Sequence, residues 1–297
     1  MPARSEVIDR VIEHLFGDLP AVRFDLFRRA FSISFIAYML FRFSSWREWL
    51  TSAGVHFDAG TASCFKPSPL PLLPVAAVPV FALATFGGAA CVVAGRAVRP
   101  AAAVTAACAI YAQLVDEISA YSLNKFYVTM FLLFALAPAA RTGEAGRVVQ
   151  SAWPLRVVQL NLLIQYFTAG SCKIFHGDWL SVPDVLRTQL MGSYRTVPAA
   201  TLLAILPPQV LAMFEVATLA FELLAPILFS VRRLVPYACL VGLTFHAFIA
   251  LTMYNLFYFS FQMVTFYVVF LSPELLERVS NFGAKIAGLI RRRPVPS

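Results

Sequence analysis

Residues Leu155–Trp179, LRVVQLNLLIQYFTAGSCKIFHGDW, begin as an apolar run and pass through five small residues, Thr168 to Cys172. Lys173, His176, Asp178 and Trp179 then follow at the edge of the run. A run this apolar and this long matches the ~20 residues that a helix needs to cross a bilayer. Seven further apolar segments can be marked, at 27–46, 71–95, 100–118, 122–139, 208–230, 234–254 and 256–272. Turn-forming stretches such as AGRAVRP and ARTGEAGR separate them.

Composition points the same way. The 297 residues are 59% hydrophobic and 13% charged, and the mean hydropathy is +0.73. A soluble domain carries about 25% charged residues, so the solvent for this chain is lipid. The pattern predicts an all-α, polytopic integral membrane bundle of about eight transmembrane helices, multi-pass in the cell membrane, with both termini cytoplasmic. In that reading 1–24 is a cytoplasmic amphipathic segment, 25–273 the transmembrane bundle and 274–297 a basic cytoplasmic tail. The charged N-terminal segment lacks the short apolar core of a secretory signal.

Charge bias supports this topology. With eight spans, 17 of the 24 basic residues fall on the cytoplasmic side and 7 on the other, as the positive-inside rule requires. The net charge of +8 is then a topology signal and an attraction to membrane lipids. No nucleic acid is implied, because no basic patch is interleaved with stacking aromatics.

Topology concentrates chemistry at the opposite, extracytoplasmic face. Lys173 reaches it at the end of the fifth segment, with Asp116 and Glu117, Glu215 and His246 in the outer halves of other segments. Loops on that side add His56, Asp58, Cys64, His176 and Asp178. Ionisable groups at membrane depth face a partner, a bundle interior or a cavity. The small-residue run lets a neighbouring helix approach closely, and Asn161 and Gln165, four apart on one face, can hydrogen-bond across the bundle. Lys173 then has two fates: to snorkel to the headgroups, or to sit in a confined pocket as a usable base.

Glu215 and Glu222, seven apart, share a helix face. Glu222 reads as bundle glue bonded to hydroxyls, and Glu215, nearer the outer face, as the group that pairs with or orients Lys173. His246 is either a satisfied interhelical hydrogen-bonder or a base. No metal is called for, since no paired His or Cys spacing of a closed site occurs. Cys64 and Cys172 would face an oxidising compartment and are open to pairing. Between segments five and six, a capped start at Ser181–Asp184 precedes an amphipathic DVLRTQLM. VPAATLLAIL is too short to span, and Trp179 would anchor this lid at headgroup level.

Around these residues the chain resembles a known family. Phe167-x-Ala-Gly-x-x-Lys173, continuing to Asp178-Trp179, is similar to a pattern of the vitamin K-dependent gamma-carboxylase and its bacterial relatives, the horizontally transferred transmembrane domain family. Arg28 to Trp49 with His56-Phe57, Phe221 to Phe229, and Phe245 to Pro273 fit the same template in order. The resemblance implies that Lys173 is a base deprotonating a reduced quinone, with His246 at a second motif position and Glu215 as a further catalytic candidate. Trp179, Asp178, Asn161, Gln165 and Asp116 then become candidate substrate-binding residues. A histidine used by the carboxylase corresponds to Lys125 or its neighbours, and the carboxylase's large soluble domain has no counterpart after the eighth segment. Short bacterial members that help mature exported toxin peptides are the nearer analogy, and they imply a separately encoded protein partner and a peptide substrate. The alternative is a non-catalytic membrane scaffold within a multi-protein peptide maturation or export complex. The sequence leaves both open.

Overall fold

The computed structural model describes residues 4–54, 56, 70–116, 122–143, 146–180, 184–193 and 195–276. It is built of helices in the order that the hydropathy predicts. α1 (Arg4–Phe16) is followed by α2 (Val22–Phe43), the short α3 (Trp46–Leu50), α4 (Val78–Ala94), α5 (Val98–Val115) and α6 (Ser122–Leu136). The second half holds α7 (Trp153–Phe175), α8 (Val185–Met191), α9 (Val197–Ile205), α10 (Pro208–Ser230), α11 (Val235–Thr252) and α12 (Phe257–Thr265). A 3₁₀ stretch, Phe266–Phe270, continues α12.

Every apolar segment of the sequence coincides with a helix, and 208–230 matches α10 at both ends. Four helical stretches, Val75–Ala94, Val98–Val115, Pro208–Ser230 and Val235–Thr252, are long and apolar enough to cross a membrane by length and composition. Leu123–Leu136 and Phe257–Phe270 are shorter apolar helices. Helices α2 and α7 have 22 and 23 residues, about 33 Å each at 1.5 Å per residue, but both carry charged side chains. Proline punctuates the starts: α4, α7, α9, α10 and α11 each have one at the first or second position, where no N–H is missed.

Two packing groups share α2. Helices α4, α5 and α6 pack in succession beside it, and α12, α11, α10 and α7 complete the other side. Between them lies an aromatic core in which Phe27, Phe31, Phe35, Tyr127, Phe131, Phe134 and Phe266 are all but fully buried. Their centroids sit 4.9–6.4 Å apart, mostly edge-to-face or tilted, the arrangement that aligns ring quadrupoles. The outward faces remain apolar, with Leu83 74% and Leu240 64% exposed, as a lipid-facing surface must be.

One feature departs from a purely helical reading. β1 (Asp18–Pro20) pairs antiparallel with β3 (Val148–Ser151), which also pairs with β2 (Arg141–Thr142). The stretch read as a plain turn between segments four and five thus contributes two strands, and they tie the starts of α2 and α7 to one end of the bundle. A backbone bond from Ala152 N–H to the Gly17 carbonyl at 2.8 Å reinforces the join. Lys173 lies near the far end of α7, about 30 Å away by helical rise.

α1 is amphipathic as expected, and Ile8, Val11, Ile12 and Phe16 are each at least half exposed. α8 begins where the sequence places it, but Asp184 at its N-cap makes no side-chain cap bond, and Ser181 is outside the described residues. The cap appears one element later: Thr196 Oγ1 accepts from the Ala199 N–H at 3.2 Å and donates to the Leu251 carbonyl at 2.7 Å. At nine residues α9 is too short to span.

Candidate functional site

The buried stripe of α7 runs Leu155, Val158, Leu162, Tyr166, Gly170. Continued by three residues, it arrives at Lys173, so the periodicity that buries the helix also carries the amine to the interface. The partner is α10, whose buried stripe includes Leu211, Glu215, Leu219, Glu222 and Phe229.

Gly170 sets the distance between the two helices. A Cβ there would stand 3.0 Å from the Glu222 Cβ and 3.1 Å from Leu223 Cγ. The close approach foreseen from the small-residue run is therefore to α10, and it places Glu222 beside Lys173. Lys173 Nζ donates to Glu222 Oε1 in a short ion pair. The carboxylate side chain is 5% exposed and the lysine 24%. Above the pair, Nζ lies 4.7 Å from the centre of the Trp179 ring, within cation–π range. The amine is thus held between an acid and an indole.

Glu222, read from sequence as bundle glue, is the partner of Lys173, and Glu215 is not. Helical side chains lean toward their own N-terminus, so Lys173 bends back to the level of Gly170, where Glu222 waits. Glu215 stands seven residues away, about 10 Å along the axis. It is buried against α8, facing the Leu186 backbone, and neither carboxylate oxygen has a hydrogen bond of ordinary geometry among the described residues. Pro226 removes the N–H that would bond the Glu222 carbonyl in an unbroken helix, which marks this turn of α10 as irregular.

His246 lies in a second buried cluster. Its Nε2 meets the Tyr166 hydroxyl at 2.8 Å, and that hydroxyl meets Tyr267 OH at 2.5 Å. His246 is fully buried and its Nδ1 has no partner among the described residues. Tyr166 stands two helical turns from Lys173, on the same stripe of α7. Gly242 makes room for the cluster: a Cβ there would come within 2.1 Å of the Tyr267 hydroxyl. The sequence reading missed Tyr166 and Tyr267, and it gave Glu222 to bundle packing and not to Lys173. The signal for Tyr166 was its place on the stripe ending at Lys173; for Glu222 it was a buried acid one turn before a proline.

The remaining candidates are dispersed. Among the described residues Asn161 and Gln165 do not bond across the bundle; Gln165 Nε2 donates to Asn161 Oδ1 at 2.6 Å on their own helix, because residues four apart are neighbours there. Asp116 pairs with Arg42 at 3.4 Å, both buried, and the Arg42 guanidinium stacks 4.2 Å from the Trp49 ring. Asp178 is exposed in the turn after α7, while Trp179 joins the lysine. His56 Nε2 meets the Thr51 carbonyl at 2.7 Å. Asp58, Cys64 and Glu117 lie outside the described residues, and with Cys64 the proposed Cys64–Cys172 pairing; Cys172 is a free, exposed thiol.

The arrangement sets a buried acceptor and a flat aromatic face beside one amine. Glu222 Oε2 is buried and without a hydrogen-bond partner among the described residues, an acceptor for a hydroxyl. The indole of Trp179 offers a flat face beside the amine.

A family model described as the HTTM domain matches residues 26–275. Neither the curated proteins nor the solved structures contain a match to the chain.

Proposed function

This chain belongs to the HTTM-domain family, the domain found in the membrane part of the vitamin K-dependent gamma-carboxylase, and we propose that it is a membrane-embedded enzyme or enzyme subunit in which Lys173 abstracts a proton. It is a multi-pass membrane protein, and its spanning helices contact lipid. The single observation that carries the catalytic reading is the Lys173–Glu222 pair beneath Trp179.

The chemistry follows from the carboxylate. When the amine is neutral, Glu222 is a lone buried anion, which is costly. Proton uptake by Nζ converts that anion into an ion pair, so the carboxylate stabilises the product of abstraction. A bound reduced quinone supplies an acidic hydroxyl and two reducing electrons. In its neutral form Lys173 Nζ would take the proton of a hydroxyl held beside it, with Glu222 Oε2 orienting that hydroxyl and the Trp179 indole covering one side of the amine. The reaction serves the modification or maturation of an exported peptide at the extracytoplasmic face, with a separately encoded protein as partner.

A second reading rests on the same contact. The close approach of the helices at Gly170, where an added Cβ would stand 3.0 Å from Glu222 Cβ, also suits an ion pair whose task is to lock α7 against α10 in a non-catalytic scaffold. The test is oxidation of a reduced naphthoquinone by nanodisc-reconstituted protein, followed as oxygen consumption. A base is lost in both Lys173→Ala and Lys173→Arg and partly restored to Lys173→Ala by added ethylamine. Wild-type protein without turnover, or full activity in Lys173→Arg, sinks the catalytic reading and leaves the scaffold.

A further inference from the structure

At the end of the bundle opposite Lys173, a cavity of about 1130 Å³ opens between the starts of α2 and α5, the end of α6 and the β3 loop. Four arginines line it, Arg28, Arg29, Arg99 and Arg147, against two carboxylates, Asp25 and Glu274. The excess is two positive charges (four minus two). Arg28 forms the floor. It is 5% exposed, it pairs through Nη2 with Asp25, and its Nη1 is buried with no hydrogen-bond partner among the described residues. Arg29 Nε also reaches Asp25, at 2.8 Å, from the more exposed rim.

Two backbone features add to the positive field. Gly95 ends α4 in a left-handed conformation, φ +73°, and a Cβ there would stand 3.6 Å from Nη2 of both Arg28 and Arg29. Both guanidiniums therefore converge on the turn at Gly95, whose left-handed backbone favours glycine. The first turn of α5, Val98 to Pro100, faces the same cavity, and the N–H groups of Val98 and Arg99 carry the positive end of an 18-residue helix.

We infer that this cavity is a binding site for an anionic phosphate group, with Arg28 Nη1 as the buried donor and Arg29 and Arg147 closing over it from the rim. Guanidinium forks match phosphate oxygens in pairs, and the idle Nη1 of Arg28 needs an acceptor. The volume admits a whole headgroup as well as a free phosphate. Basic pockets between helices at the arginine-rich end of a membrane bundle suit anionic headgroups. Nothing in this site depends on the role of Lys173, 30 Å or so away by helical rise.

The test is thermal unfolding of the full-length protein in neutral detergent, titrated separately with inorganic phosphate and with short-chain phosphatidylglycerol. Chloride at equal ionic strength and phosphatidylcholine are the controls. Stabilisation by phosphate identifies a free anion as occupant; stabilisation by phosphatidylglycerol alone identifies a lipid headgroup. In either case Arg147→Gln, an exposed rim residue, should raise the half-saturating concentration about tenfold, the worth of one charged hydrogen bond. Arg96→Gln, outside the cavity, should leave it unchanged. No stabilisation beyond the controls, or the same response in Arg147→Gln as in wild type, overturns the site.

Discussion

Gly170 and Glu222 stand so close that a methyl group on the glycine would sit 3.0 Å from the Cβ of the glutamate. Replacing Gly170 by alanine adds about 1 kcal/mol of helix propensity but overpacks the contact, at about 1–3 kcal/mol. Glu222 Cβ is fixed to the backbone of α10, so the helices must separate and the packing cost wins. We predict a net loss of stability for Gly170→Ala, read as a lower thermal midpoint in detergent. An unchanged or raised midpoint would show that α7 and α10 are looser than described.

The tyrosine–histidine cluster yields a second prediction. Tyr166→Phe removes a hydroxyl that meets both His246 Nε2 and Tyr267 OH. It leaves two buried polar groups without a partner, at about 1–3 kcal/mol. Tyr166→Phe/Tyr267→Phe should be less destabilising than the sum of the single changes, because one lost bond is shared. Chemical denaturation of the four variants in the cycle measures this; strict additivity would place the hydroxyls apart.

Arg42 and Asp116 are both buried, and Trp49 covers the guanidinium. Asp116→Ala should destabilise by about 3–5 kcal/mol, since it removes a carboxylate that faces a buried cation. Arg42→Met/Asp116→Ala should recover much of that loss, because neither charge of the pair then remains to be desolvated. The comparison of unfolding midpoints checks it, and a double variant no better than Asp116→Ala alone would count against a desolvated pair.

Sidedness is testable without any substrate. In a cysteine-free background, Asp178→Cys should react with a membrane-impermeant maleimide applied to intact cells, and Arg147→Cys only after the membrane is opened. That outcome follows from the arginine bias of the loops. Reaction of Arg147→Cys in intact cells would invert the topology and move Lys173 to the cytoplasmic face.

Local periodicity carried most of the fold. The apolar run 208–230 became α10 residue for residue, the run of small residues marked a close helix contact, and Glu215 and Glu222 share a buried face as their spacing of seven requires. Each of these depends on neighbours within a few turns of one helix, which a sequence displays directly. What only the tertiary structure decided is which acid meets Lys173. That depends on the axial register of α7 against α10, set by Gly170 packing on Glu222 and by the backward lean of the lysine side chain. The Tyr166–His246–Tyr267 cluster, the β1–β3 pairing and the arginine cavity join segments about 70 to 250 residues apart in the chain. Such juxtapositions follow from side-chain packing between helices, and no periodicity within a single helix encodes them.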